Sequence, residues 1–210
     1  MDKVKNFLSA TVVLFLLFGL PAVSYYYLKT GYDYRKEAIL TQGDFGKIPN
    51  LYNLEAVRGE LPANQRGTMT VVGWLDPTKP ATVKQYGLMM DSVYNQFENS
   101  PNLYFSTIVK GDNPGATAGA FAEKYNLPEA AMLSFLGADD GAFAQSAKDF
   151  QLPATPGETP IVALVDSSLT IVKHYDLSSR DETIGLVQLI SLIIPLQSRP
   201  DIILKRDKEL

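Results

Sequence analysis

The sequence predicts an α/β domain, a central mixed sheet flanked by helices, preceded by one N-terminal transmembrane helix. Three observations carry this. Segments rich in Val, Ile and Thr alternate with segments whose apolar residues recur at three- and four-residue spacing, the pattern of a largely parallel sheet covered by helices. The apolar run 161–165 and the segment 169–175 are separated only by Asp166-Ser167-Ser168, so they read as an antiparallel hairpin, followed by a final helix. Near the start, no residue between Lys5 and Lys29 is charged, and a helix of about 20 residues spans a bilayer core of about 30 Å.

The anchor is expected over 7–28, between a short tail (1–6) and a juxtamembrane connector (29–47). Tyr25, Tyr26 and Tyr27 stand at its end, where aromatic side chains favour the membrane interface. Pro21 would kink the span without forbidding it, and Gly19 is where a second helix could approach closely. A cleaved signal peptide is the rival reading, with Ala22-Val23-Ser24 as a small-x-small site. The length of the apolar run favours the anchor, since signal h-regions span about 7–15 residues. Orientation is poorly marked: Lys3 and Lys5 lie on one side, Lys29, Arg35 and Lys36 on the other.

The folded domain is expected over 48–196. Ile48-Pro49-Asn50-Leu51-Tyr52-Asn53-Leu54 begins a strand or hairpin turning at Arg58-Gly59. Residues 68–75 form the first central strand, ending at Trp74. Pro77 and Thr78 open the next helix, with Thr78 as the cap and Pro80 tolerated in the first turn. Val83, Tyr86, Met90, Val93 and Phe97 give this helix one apolar face to about Glu98. A second strand follows over 102–109. A Gly-Asn-Pro-Gly loop from Lys110 to Gly115 then leads into a helix carrying Phe121 and Tyr125, stopped by Leu127-Pro128. Met132 to Leu136 is a short apolar run. Gly137-Ala138-Asp139 opens a helix with Phe143, Ala147 and Phe150, and 152–158 is a Pro/Gly loop. Ser179 and Glu182 have capping-box spacing, and Ile184, Val187, Ile190 and Ile194 of the helix they start are expected to pack on the sheet. The tail 197–210 is polar. Its last residues, Asp207-Lys208-Glu209-Leu210, are only loosely like an ER-retention signal and read better as a solvated end.

Composition removes several chemistries. The chain has no cysteine, which excludes disulfides, thiolate nucleophiles and cysteine-based metal sites. A net charge of −4 gives no basic surface for nucleic acid. His174 is the single histidine and reads as a half-buried, hydrogen-bonded strand residue. Met89 and Met90 are adjacent on a helix, so they point to different sides and cannot clamp one ion together. No catalytic residue, cofactor or metal site is expected.

Residues 71–82, Val-Val-Gly-Trp-Leu-Asp-Pro-Thr-Lys-Pro-Ala-Thr, resemble a thioredoxin active site, in which an aromatic-ended strand delivers Cys-Gly-Pro-Cys to a helix N-terminus. On that resemblance Trp74 takes the place of an active-site aromatic and Pro80 that of the motif proline. Thr78 and Ala81 stand where the two cysteines would be. Thr159-Pro160 stands where such proteins carry a cis-proline. The likeness covers Ile48 to about Leu196.

A narrower resemblance is to the Sco family, the membrane-anchored copper chaperones of cytochrome c oxidase assembly. It rests on the N-terminal anchor, Ile48-Pro49-Asn50-Leu51, 133–139 (Leu-Ser-Phe-Leu-Gly-Ala-Asp) and 162–166 (Val-Ala-Leu-Val-Asp), followed by Ile171 to Tyr175. The family's Cys-x-x-x-Cys pair is absent, and its ligand histidine falls near Glu158. The resemblance therefore implies a frame without its metal site. Trp74, Asp76, Pro77, Thr78, Lys79, Pro80, Ala81, Glu158, Thr159 and Pro160 would form a degenerate active-site face available for docking. Asp76 and Glu158 would approach one another there, with Lys79 able to neutralise one of them.

The expected role is a non-catalytic accessory subunit or assembly factor of a respiratory, cytochrome oxidase-type complex. Its partners would be the membrane and other membrane-protein subunits, with the folded domain on the periplasmic side of a bacterial inner membrane. A copper carrier using non-cysteine ligands and an orphan membrane-tethered binding module are the alternatives.

Overall fold

The structure, a computed structural model, describes residues 11–40 and 42–194. The tail 1–6 with Lys3 and Lys5, the first residues of the expected anchor, and the polar tail 197–210 lie outside the described residues. The chain forms two compact units, divided between Gln42 and Gly43.

In the first unit, Thr11–Asp33 is helical and long and apolar enough to cross a membrane. Its side chains, Phe15, Leu17, Phe18 and Val23 among them, are exposed. That suits a span whose solvent is lipid and not a helix from a soluble core. Helix α1 (Leu20–Leu40) follows a π-helical turn, Phe15–Gly19, in which the Leu20 N–H donates to the Phe15 carbonyl. Pro21 accounts for the widening: it donates nothing, and its ring crowds the carbonyl four residues back.

The second unit is a six-stranded sheet in the order β1-β4-β3-β2-β5-β6. The strands are β1 (Glu55–Arg58), β2 (Met69–Leu75), β3 (Leu103–Lys110), β4 (Leu133–Ala138), β5 (Ile161–Val165) and β6 (Ile171–Asp176). Strands β2, β3 and β4 are parallel, while β1, β5 and β6 run antiparallel to their neighbours. The helices are α2 (Pro80–Phe97), α3 (Pro114–Lys124), α4 (Asp140–Asp149) and α5 (Arg180–Ile193). The expected β5–β6 hairpin is present, and β2 is buried along its whole length, as a central parallel strand must be.

Most of the short run from Met132 to Leu136 lies in strand β4, from Leu133 onward, which the sequence leaves ambiguous because four apolar residues around Ser134 fit a strand or a buried helical turn equally. Residues 51–53 form a 3₁₀ turn, Leu51–Asn53, not a strand. The Asn50 side chain accepts the Tyr52 N–H at 3.1 Å, an Asx turn that competes with extended pairing. The sheet unit also begins upstream of the expected boundary. Gly43 and Phe45 donate to the carbonyls of Val172 and Ile171, at 2.8 and 3.0 Å, so the end of the connector pairs with the edge of β6.

One sheet face packs Val72, Trp74, Ile108, Leu136, Ala163 and Ile171 against Phe143 and Phe150, with Leu51 completing the cluster. On the other face the buried Tyr86 hydroxyl meets the Thr107 hydroxyl at 2.8 Å. Gly73 makes room for it, because a Cβ there would lie 2.6 Å from Tyr86 Cζ. Of the residues of α5 and its C-cap expected to pack on the sheet, Ile190 and Ile194 are buried and Val187 half-buried, but Ile184 stays 42% exposed, and Leu186 and Leu189 join the buried face instead. The capping box is also only half formed. The Ser179 hydroxyl accepts the Glu182 N–H at 3.4 Å, but the Glu182 carboxylate reaches the Asp176 N–H, and the Ser179 N–H is taken by the Asp176 carbonyl at 3.0 Å.

Candidate functional site

The site lies at the carboxyl ends of the parallel strands, where open α/β sheets place their crevices. Leu75 pairs with Val109, and Val109 with Gly137, so the residues that follow leave the sheet side by side. Asp76 follows β2, and Lys110 closes β3. The Lys110 Nζ lies 3.3 Å from Asp76 Oδ2 and 3.4 Å from Asp140 Oδ1. Asp140 opens α4 behind Asp139, whose side chain caps that helix by accepting the Ala142 N–H at 2.7 Å.

Asp76 is 5% exposed. Its Oδ1 accepts the Thr78 N–H at 3.0 Å and the Thr78 hydroxyl at 2.7 Å. Burial by itself pushes the carboxyl up, but the two Thr78 hydrogen bonds and Lys110 outweigh it and hold Asp76 below the usual carboxylate range. Thr78 therefore closes an Asx turn and does not cap α2. Lys79 occupies the N-cap position with no side-chain cap, and Pro80 begins the helix, where its missing N–H costs nothing. Pro77, Thr78, Lys79, Pro80 and Ala81 are all exposed.

Beneath this turn Trp74 is 2% exposed. Its indole N–H donates to Ser146 Oγ at 2.9 Å, and its ring meets Phe150 edge-on at 5.1 Å. It belongs to the core and does not reach the surface.

The loop before β5 seats itself on the turn. Gly157 is buried with φ +83°, and a Cβ added there would lie 2.5 Å from that of Asp76. The Thr82 hydroxyl donates to the Glu158 carbonyl at 3.0 Å, and Lys79 Nζ lies 3.9 Å from Glu158 Oε1. Each carboxylate thus has its own lysine, Asp76 with Lys110 and Glu158 with Lys79, and the two do not form a carboxylate pair. No cis peptide bond is present among the described residues. Thr159–Pro160 is trans, which corrects the cis-proline expectation. The Ile161 N–H closes a tight turn onto the Thr159 carbonyl at 2.8 Å, and the trans isomer is the favoured state of an X–Pro bond by about 0.5–1 kcal/mol.

Sequence reasoning missed Lys110, which it placed in a loop. The signal was available in the parallel register: once 75 pairs with 109, residues 76 and 110 emerge as neighbours of opposite charge. His174 lies apart from the turn, on β6. Its Nε2 is 2.8 Å from the Phe150 carbonyl and its ring is edge-on to Phe45 at 4.7 Å, with burial holding its pKa below the ordinary value. Met89 and Met90 are both buried in the packing of α2. Among the described residues, no three acidic or histidine side chains converge as a metal site would require.

The Asp76 network should be visible in pH titration. A depressed carboxyl contributes its full stability above its unfolded value of about 3.9 and loses it as pH falls through the lower folded value. The Tm difference between the parent chain and Asp76→Asn should therefore be constant from pH 7 to about pH 5 and shrink steadily below about pH 4. Scanning calorimetry at pH 7, 5 and 3 checks this, and a gap unchanged at pH 3 would remove the ionised Asp76 from the account.

No protein-family model matches the sequence, and no curated protein matches it. Solved structures do. A proposed protein disulfide isomerase from Bacteroides thetaiotaomicron superposes with a TM-score of 0.51 at 14% identity, over 67% of this chain and 84% of that one. Copper-bound ScoI from Arabidopsis thaliana gives 0.42 at 16% identity, over 60% and 86%. StoA from Bacillus subtilis gives 0.45 at 14% identity, over 64% and 93%. The strand order, the βαβ crossovers, the closing hairpin and the first of these superpositions establish that the sheet unit has a thioredoxin-like fold.

Proposed function

We propose that this chain is a non-catalytic, membrane-anchored, Sco-like docking protein. It serves as an accessory subunit or assembly factor of a respiratory, cytochrome oxidase-type complex, with the folded domain on the periplasmic side of a bacterial inner membrane. The observation that supports this most is how the thioredoxin-like active-site turn is filled. Thr78 and Ala81 stand at the cysteine positions, Asp76 is locked by Thr78 and Lys110, and the Gly157 backbone seals its flank. The turn, pinned through the Asp76–Thr78 bonds, presents an exposed edge from Pro77 to Ala81. A turn held by its own hydrogen bonds has less to order on binding. A long apolar helix near the N-terminus supports the membrane part of the reading.

The test is gentle detergent extraction of native membranes carrying the chain tagged at Leu210, followed by mass spectrometry and a haem spectrum. Stoichiometric haem-containing oxidase subunits are the expected result for an accessory subunit. Immature oxidase subunits alone would mark an assembly factor. Recovery of the chain by itself, without haem absorbance, would overturn the respiratory reading.

A further inference from the structure

Beside the turn, between α2 and α3, lies an open-mouthed cavity of about 380 Å³, within the roughly 300–1,000 Å³ range of built binding sites. Pro77, Pro80 and Val83 form one wall, and Ala120 and Phe121 the other. Its floor follows from sequence: Gly87 leaves room for the Tyr125 ring, which packs on Phe121 at 4.9 Å, and Phe121 stacks on Tyr86 at 5.7 Å. No acidic side chain lines the cavity. One cation does, Lys124, which is exposed, lies 5.4 Å over the Tyr125 ring and makes no ion pair among the described residues. Tyr125 is 6% exposed, and its hydroxyl is buried without a hydrogen-bond partner, so polar capacity in this wall is unused.

We propose that this cavity is the socket for a partner subunit's anchor, a bulky apolar side chain flanked by an aspartate or glutamate that pairs with Lys124. The inference rests on the docking reading above and names the partner's chemistry. Two features select a protein segment. Pro77 and Pro80 belong both to the cavity wall and to the exposed turn, so whatever covers the turn also covers the mouth. The charge pattern, an apolar pit with a single unpaired cation, is complementary to an apolar side chain next to a carboxylate. Buried anchors of this kind carry most of an interface's energy.

The test places the photoreactive residue p-benzoylphenylalanine at Ala120 or, separately, at Ala154 of the loop before β5, in the full chain within native membranes. Both positions are exposed. After irradiation the cross-linked peptides are identified by mass spectrometry. The expected result is a cross-link from position 120 to a respiratory subunit, at a segment where an apolar residue neighbours Asp or Glu. Its yield should fall at least about tenfold in the Lys124→Glu background, the size of a lost charge-assisted contact of about 1.4 kcal/mol, while the yield from position 154 persists. A respiratory cross-link from position 154 alone overturns the socket and leaves the docking reading standing. A position-120 cross-link that ignores Lys124→Glu, or that lands on a segment without a carboxylate, also overturns it. Cross-links to no protein at either position, or only to a small molecule, sink the socket and the docking reading together.

Discussion

Replacing Trp74 by alanine is expected to destabilise the sheet unit by about 3–5 kcal/mol, lowering its Tm on the order of 10 °C. The residue is 2% exposed, stands on a central strand and touches Phe150, the C-cap of α4, so its removal empties the middle of one core layer. Trp74→Phe keeps most of the ring and loses the hydrogen bond to Ser146. Ser146 still donates to the Phe143 carbonyl at 2.8 Å, so that variant should cost only about 1–2 kcal/mol. Chemical denaturation followed by far-UV circular dichroism measures both. The parent chain offers a second readout, since Trp74 is its one tryptophan: its emission should be blue-shifted when folded and move red in a single step on unfolding. An alanine cost below about 1.5 kcal/mol would mean that the tryptophan serves the surface and not the core.

Gly157→Ala should cost about 2–4 kcal/mol, although the change is one methyl group on a loop. Two terms add. A side chain at φ +83° pays about 1–2 kcal/mol for the left-handed region. The new Cβ also meets the Asp76 Cβ at 2.5 Å, and Asp76 cannot yield without breaking its bonds to Thr78 and Lys110. The loop must therefore lift, taking with it the bond from Thr82 to the Glu158 carbonyl. Glu158→Ala is the informative control. Its pair with Lys79 is 3.9 Å long between side chains 46% and 58% exposed, and such pairs are worth about 0–1 kcal/mol. Backbone seating thus outweighs the visible ion pair by severalfold. Thermal melts of the two variants decide it, and equal costs would reverse that ranking.

Much of the fold was legible because periodicity carries it. The apolar spacing from Tyr86 to Phe97 marks α2, the alternation of strand and helix marks the parallel core, and the Asp166-Ser167-Ser168 turn marks the hairpin. Strand β4 was not legible as a strand, since so short an apolar run, broken by Ser134, has no clear period of its own. The half-formed capping box and the exposed Ile184 of α5 show the same limit from another side. Ser179 and Glu182 had the right spacing, but the Asp176 backbone offered Glu182 a competing donor that only the folded chain brings near.

For the site, sequence placed the turn, the aromatic beneath it and the missing sulfur. It named Asp76, Lys79 and Glu158 but paired them by proximity to one frame, and it left out Lys110. Thr78 was given to the helix as a cap when Asp76, two residues earlier, holds its hydroxyl.

What the sequence by itself determined is the inventory: one apolar span, one α/β domain, no thiol, one histidine, and a strand-to-turn-to-helix stretch of thioredoxin type. Those properties are local or additive, so a linear reading recovers them. What only the tertiary structure decided is partnership. Lys110 meets Asp76 because parallel register sets 76 beside 110. Gly157 closes on Asp76 because β5 pairs antiparallel to β2 and returns its preceding loop to the same sheet end. The α2/α3 cavity exists because Gly87 admits a ring from another helix. Each is a contact between residues far apart in the chain, and its energy depends on a register and a distance that composition and spacing do not contain.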